Sequence, residues 1–135
     1  MKIRSIKICS RISIISIIEN IFHIIIFLNK ISESGAECIH EGDGDLDGFR
    51  IATEVGNCIS LKRVVASDVL KVASSEEGRE LSLEQKKRAM AFLLNSKYKG
   101  YKFVDEIKSV LQRGKWIEQE SFAAILKKSS KGYVK

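Results

Sequence analysis

The residues with the clearest capacity for chemistry are Asp43, Asp45 and Asp47, carboxylates at alternate positions in the run Gly42-Asp43-Gly44-Asp45-Leu46-Asp47-Gly48. Alternate side chains of a tightly turning loop converge on one point, and a distal carboxylate, here Glu54, can close the shell. Calcium takes about six to eight oxygens at about 2.3–2.6 Å. The set Asp43, Asp45, Asp47 and Glu54 is therefore the candidate metal site, and weakly held calcium the only cofactor it suggests. Clustered carboxylates can also hold two magnesium ions for phosphoryl chemistry. The neighbours support a different reading. Leu46 stands where such loops carry a small or polar residue, Arg50 where they carry an aliphatic, and Gly56-Asn57 would interrupt an exit helix in its first turn. On that reading the run is a solvated, glycine-punctuated turn leading into a strand.

Counted from Asp43, the oxygens at positions 1, 3 and 5, Gly48 at 6 and Glu54 at 12 resemble a degenerate EF-hand loop. A second constellation lies further on, where Lys97, Lys99, Lys102, Arg113 and Lys115 are interleaved with Tyr98, Tyr101 and Trp116. Lysines and arginines track phosphates, and aromatic faces stack on bases, so Lys97, Lys99, Tyr101, Lys102, Arg113, Lys115 and Trp116 form the candidate nucleic-acid site. The competing reading has Trp116 and the tyrosines closing a small core while the lysines face water.

Other chemistry is thinly supplied. Cys9, Cys38 and Cys58 lack the paired spacing of a structural zinc site, although Cys38 and Cys58 could form one disulfide in an oxidising compartment. The two histidines are His23, in an apolar run, and His40, beside the acidic turn. No Gly-rich phosphate loop, GxSxG elbow or HExxH occurs. The expectation is a chain that is not an enzyme and has no small-molecule substrate.

The elements that must position these residues follow from the rest of the chain. At 135 residues, 44% hydrophobic and 30% charged, it suits one globular domain, or a small domain with a leader. The net charge of +6 is segregated: +3 over residues 1–35, −5 over 36–60 and +8 over 61–135. A basic C-terminal half suits phosphate, anionic lipid or an acidic partner.

Residues 12–28 are rich in isoleucine and follow four bases, like the start of a signal or anchor segment. The apolar residues favour insertion by about 4–7 kcal/mol, whereas Glu19 costs about 3 and Asn20, His23 and two serines add to that. Three readings stay open: membrane association through 12–28, a buried apolar helix, or a stretch translated from upstream of the true start. Ser34-Gly35-Ala36 supplies the small residues of a cleavage site. The expected location is cytoplasmic, with a membrane-anchored alternative.

In the middle of the chain Phe49, Ile51 and Val55 alternate with polar residues, as do Ile59 and Leu61, and Gly56-Asn57 separates the two runs. This predicts a β-hairpin near 48–65. Residues 68–73 read as a further strand or one helical turn, and Ser74–Gly78 as a polar boundary. Beyond it, Ser82 and Gln85 form a capping-box pattern before the apolar face of Ala89, Phe92 and Leu93. Phe103, Ile107, Val110 and Leu111 mark a second helix that Gly114 ends, and a third starts near Ile117 and carries Phe122, Ala123, Ile125 and Leu126. The predicted fold class is α+β, mainly α: an N-terminal apolar helix, a central β-hairpin and a C-terminal three-helix unit. Its divisions are a leader at 1–35, the acidic turn and hairpin at 36–78, and a basic helical module at 79–135.

The runs Ala89–Leu94, Phe103–Ile107, Gln112–Ile117 and Ala123–Ile125 give residues 80–128 a resemblance to a short helical module of phage and mobile-element proteins, some with helicase or replication domains. The pattern departs from that module where Ile117-Glu118 and Ser121 replace a Leu-Ser-x-x-Gln cap. The resemblance implies an accessory role in nucleic-acid transactions and no catalytic residue. Two functions are expected on this basis: a small non-enzymatic accessory protein associated with nucleic acid or, alternatively, a membrane-anchored or exported protein with a weak calcium loop.

Overall fold

A computed structural model of the chain describes residues 5–9, 28–95 and 100–132. Three parallel strands, β1 (Ser5–Cys9), β2 (Glu37–Glu41) and β3 (Leu61–Val64), lie side by side in that order, with Ser5 opposite Glu37 and His40 opposite Val64. Parallel neighbours cannot be joined by a tight turn and need a crossover of a dozen or more residues. Between β2 and β3 that crossover is helix α2 (Leu46–Cys58); a helical segment at 28–33, α1, precedes β2.

The hairpin expected near 48–65 is thus replaced by a helix followed by a parallel strand. Leu46, Phe49 and Ala52 share a helical face, of which Phe49 also belongs to the alternating pattern, and burial selects the helix: Phe49 and Ala52 are enclosed. Gly56-Asn57, expected to turn the chain, falls in the last turn of α2. Glycine there costs only about 1 kcal/mol against alanine.

After β3 the chain enters α3 (Val65–Val72) directly; a short strand, β4 (Arg79–Glu80), then leads to α4 (Leu83–Leu94). Helix α5 (Val104–Arg113) ends on Gly114 in the left-handed region, φ 69°. Strand β5 (Lys115–Trp116) pairs antiparallel with β4, and a 3-10 turn (Gln119–Ser121) opens α6 (Phe122–Gly132). The capping box is present at the start of α4: Gln85 N–H donates to Ser82 Oγ at 3.1 Å and Ser82 N–H to Gln85 Oε1 at 2.8 Å. The chain is mainly helical with small strands. Its last helix begins at Phe122 rather than near Ile117, because Ile117 instead makes an antiparallel bridge with Gly44.

One apolar cluster takes Phe49 and Ala52 from α2, Val65, Val69 and Leu70 from α3, Ala89 and Phe92 from α4, Ile107 and Val110 from α5, and Phe122 and Ile125 from α6. It draws on both sides of the polar boundary at 74–78. A second, smaller cluster gathers Leu28, Ile31, Cys38 and Ile59 on the opposite face of the sheet from Ile39, which packs on the main core.

The apolar segment at 12–28 lies outside the described residues except for Leu28. Among the described residues no helix is long and apolar enough to cross a membrane.

Candidate nucleic-acid interface

The acidic turn is built to start a helix. Asp45 is the N-cap of α2, and its Oδ1 accepts the Gly48 N–H at 2.7 Å, satisfying a donor that helix geometry leaves without a partner. Asp43 Oδ1 accepts the Gln119 N–H at 2.9 Å, and next to it the Gly44 N–H donates to the Ile117 carbonyl at 2.8 Å. The turn is therefore stitched to the segment that leads into α6. Asp47 faces α4, where the guanidinium of Arg88 donates to both its oxygens at 2.7 and 3.2 Å. Glu54 is exposed near the end of α2.

The four carboxylates expected to converge on a cation are thus spread over a cap, a tertiary strut, an ion pair and an exposed helix face. Among the described residues no group of three or more His, Cys, Asp or Glu side chains is placed to hold a metal ion. The reason is the helix. A calcium loop needs an extended turn through its sixth position, whereas here helical geometry begins at Leu46, so Asp47 and Glu54 follow a helix while Asp43 and Asp45 precede it.

Burial pushes the Asp45 carboxyl above its ordinary range, and the neighbouring charges of Asp43 and Asp47 add to this; the Gly48 hydrogen bond and Arg88 oppose it. A raised carboxyl favours the native state below its unfolded value of 3.8, and that contribution is lost as pH rises through the folded value. At neutral pH the charged cap is thus partly penalised. Asp45→Asn keeps the cap and removes the charge, so it is expected to leave stability at pH 7 unchanged or higher, while Asp45→Ala lowers it by about 1 kcal/mol. Urea melts of the two variants check this.

The candidate nucleic-acid residues divide. Lys97 and Lys99 lie outside the described residues. Arg113 is an internal clamp: its guanidinium donates to the carbonyls of Ala73 at 3.3 Å, Ser74 at 2.8 Å and Glu77 at 2.8 Å. Lys115 Nζ adds a bond to the Glu76 carbonyl at 3.0 Å. These two cations hold the 73–78 loop after α3, where carbonyls would otherwise lack partners. Trp116 is half-buried against the main core and pairs with Arg79 in the short sheet. Arg113, Lys115 and Trp116, expected on a phosphate-tracking and stacking surface, each also help to close the fold through these contacts.

Tyr101 and Lys102 sit elsewhere. Tyr101 meets Phe92 edge-on, ring centroids 5.1 Å apart, and the Lys102 ammonium lies 5.6 Å from the centroid of Phe103. Phe103 packs in turn on Phe49 at 5.3 Å. Phe92 also lines a groove of about 240 Å³ together with Leu46, Arg50, Arg88, Ala91 and Asn95. The contact with Phe92 therefore brings Tyr101, and with it the adjacent Lys102, near the groove that Arg50 and Arg88 line. Arg88 is shared with Asp47, whereas Arg50 is exposed and makes no hydrogen bond or ion pair among the described residues.

Arg50 and Arg88 did not stand out in the sequence. Arg50 gave a signal, since it was the residue least suited to a calcium loop; Arg88 gave none beyond its place in the Lys86-Lys87-Arg88 run.

The remaining reactive side chains are enclosed. His40, on the central strand, is 1% exposed, and neither ring nitrogen has a hydrogen-bond partner among the described residues. Burial lowers it from 6.5 to about 4, so it is a neutral imidazole at pH 7. Cys38 and Cys58 are free thiols, and burial raises Cys38. No protein-family model, curated protein or solved structure matched the chain.

Proposed function

We propose that this chain is a small non-enzymatic accessory protein that associates with nucleic acid, through the end of the molecule where α2, α4 and α5 meet. The observation that carries the reading is the groove lined by Arg50 and Arg88, with Tyr101 against its Phe92 wall and Lys102 one residue further on. Two arginines lining a groove, with Lys102 nearby in the chain fold, suit a phosphate backbone, and a partly exposed tyrosine against the groove's Phe92 suits a splayed base. Single-stranded nucleic acid is the better fit, since stacking on Tyr101 requires an unpaired base. The net charge of +6 favours encounter with any polyanion and sets no sequence preference. The likeness of residues 80–128 to a module of phage and mobile-element proteins points the same way. His40 and Cys38, the described side chains best suited to acid-base or nucleophilic work, are enclosed in the sheet, which supports a binding role over a catalytic one.

Fluorescence anisotropy with a labelled oligothymidine tests the reading. Arg50→Ala plus Lys102→Ala is expected to weaken binding about tenfold at low salt, because two phosphate contacts are lost. Lys62→Ala plus Lys127→Ala removes the same charge from other elements and should change affinity much less. Equal weakening by both pairs, or no binding by the unaltered chain, would overturn the assignment.

A further inference from the structure

Helix α4 is apolar on two sides. Ala89 and Phe92 face the main core, while Leu83, Met90 and Leu94 are 68%, 51% and 82% exposed. These three lie at spacings of seven and four and so form one stripe, with Lys87 completing the pattern 83, 87, 90, 94. That alternation of four and three is the seam of a helix that packs lengthwise on another helix. Of these two apolar sides only the inner one is covered.

Charge decides what covers the other. Lys86 flanks the stripe on one side and Lys87 lies within it, while Glu84 flanks it on the other, so the face carries a net positive charge. A second copy of the chain would set the same lysines against each other and is disfavoured. Carboxylates flanking an apolar seam would meet Lys86 and Lys87 directly.

We propose that the outer face of α4 is a docking site for an amphipathic helix of another protein, one that presents an apolar seam flanked by Asp and Glu. This surface is separate from the groove at Arg50: the stripe points away from the core, whereas Arg88, Ala91 and Asn95 line the groove on the side of α4 that faces α2. The protein would then hold a polyanion at one end and an acidic protein helix along α4.

The test uses the full chain and two designed three-heptad peptides with leucine seams, one with glutamate at the flanking positions and one with lysine. The acidic peptide is expected to bind saturably in titration calorimetry and the basic one much more weakly. Met90→Ser plus Leu94→Ser should weaken the acidic peptide about tenfold or more, since two apolar side chains lose their burial. Lys87→Glu should reverse the preference between the peptides. Both variants alter exposed positions, so an unchanged circular dichroism melt is expected of both, and an unchanged oligothymidine affinity of the uncharged Met90→Ser plus Leu94→Ser protein, which separates this surface from the nucleic-acid groove. Equal binding of both peptides, or no binding of either, would overturn the proposal. So would stripe-dependent dimerisation in sedimentation, or stripe-dependent binding to phosphatidylglycerol vesicles without peptide binding, since each names a different occupant.

Discussion

Gly48→Ala is expected to be among the most damaging single substitutions in this chain, lowering stability by about 3 kcal/mol or more. Alanine at a helical position would ordinarily gain about 1 kcal/mol over glycine. Gly48 has no such freedom. It sits in the first turn of α2, directly under the acidic turn, and a Cβ placed on it would overlap the Asp43 carbonyl oxygen outright and lie 3.2 Å from the Asp45 carboxylate. Relief would require the turn to move, yet the turn is fixed by Asp43 to Gln119 and by Gly44 to Ile117. Strain at Gly48 therefore spreads to the entry into α6 and to Ile117 and Phe122 in the core. Chemical denaturation of Gly48→Ala beside Gly56→Ala checks this. A Cβ at Gly56 meets only the end of the Leu61 side chain at 3.7 Å, so that variant should be neutral or mildly stabilising. A Gly48→Ala protein as stable as the parent would show that the turn does not approach the helix so closely.

The second large effect is on pH dependence, through His40. In the unfolded chain its imidazole takes a proton near pH 6.5, whereas in the sheet burial holds it to about 4. A lowered value means that the stability is fully present above 6.5 and is lost as pH falls toward 4. The loss across that window is roughly 3 kcal/mol, at about 1.4 kcal/mol for each pH unit. His40→Leu should flatten this slope. It should also raise stability at pH 7 by about 1–3 kcal/mol, because the imidazole nitrogens are enclosed without partners in the described structure and leucine has none to satisfy. Asp45 acts in the opposite sense as it titrates, so the difference between the parent and His40→Leu, measured by urea melts from pH 7 to pH 4, isolates the histidine. Parallel pH profiles for the two proteins would mean that His40 is not desolvated in the folded state.

Gly48 and His40 also mark where the sequence could be read and where it could not. Gly48 is conspicuous in the sequence as the end of an alternating acidic run, and a loop holding calcium and a helix N-terminus ask for the same residues there: carboxylates to face a positive centre and a glycine for close approach. Asp45 resolves the two, since its carboxylate is taken by the Gly48 N–H. The helix at 46–58 was obscured because Phe49, Ile51 and Val55 fit a period of two while Leu46, Phe49 and Ala52 fit a helical face. Only the enclosure of Ala52, with Leu46 packed against the same core, decides between them. The C-terminal helices were legible because their ends are signalled locally, by Ser82 with Gln85 and by Gly114.

Arg113 and Lys115 illustrate the opposite case. Their type and their place beside Trp116 suggest phosphate, but their partners are carbonyls 36 to 40 residues earlier in the chain. No local pattern reveals that contact. Arg50 and Arg88 were hidden for the same reason: they come together only when α2 packs beside α4.

The most direct measurement of the central claim is the salt dependence of oligothymidine affinity. Three cations engaging phosphates, Arg50, Arg88 and Lys102, predict a slope of log affinity against log salt of roughly −2 for a single strand. The Arg50→Ala plus Lys102→Ala protein should show a slope shallower by roughly 1.4. An affinity insensitive to salt, or the same slope in both proteins, would contradict the account.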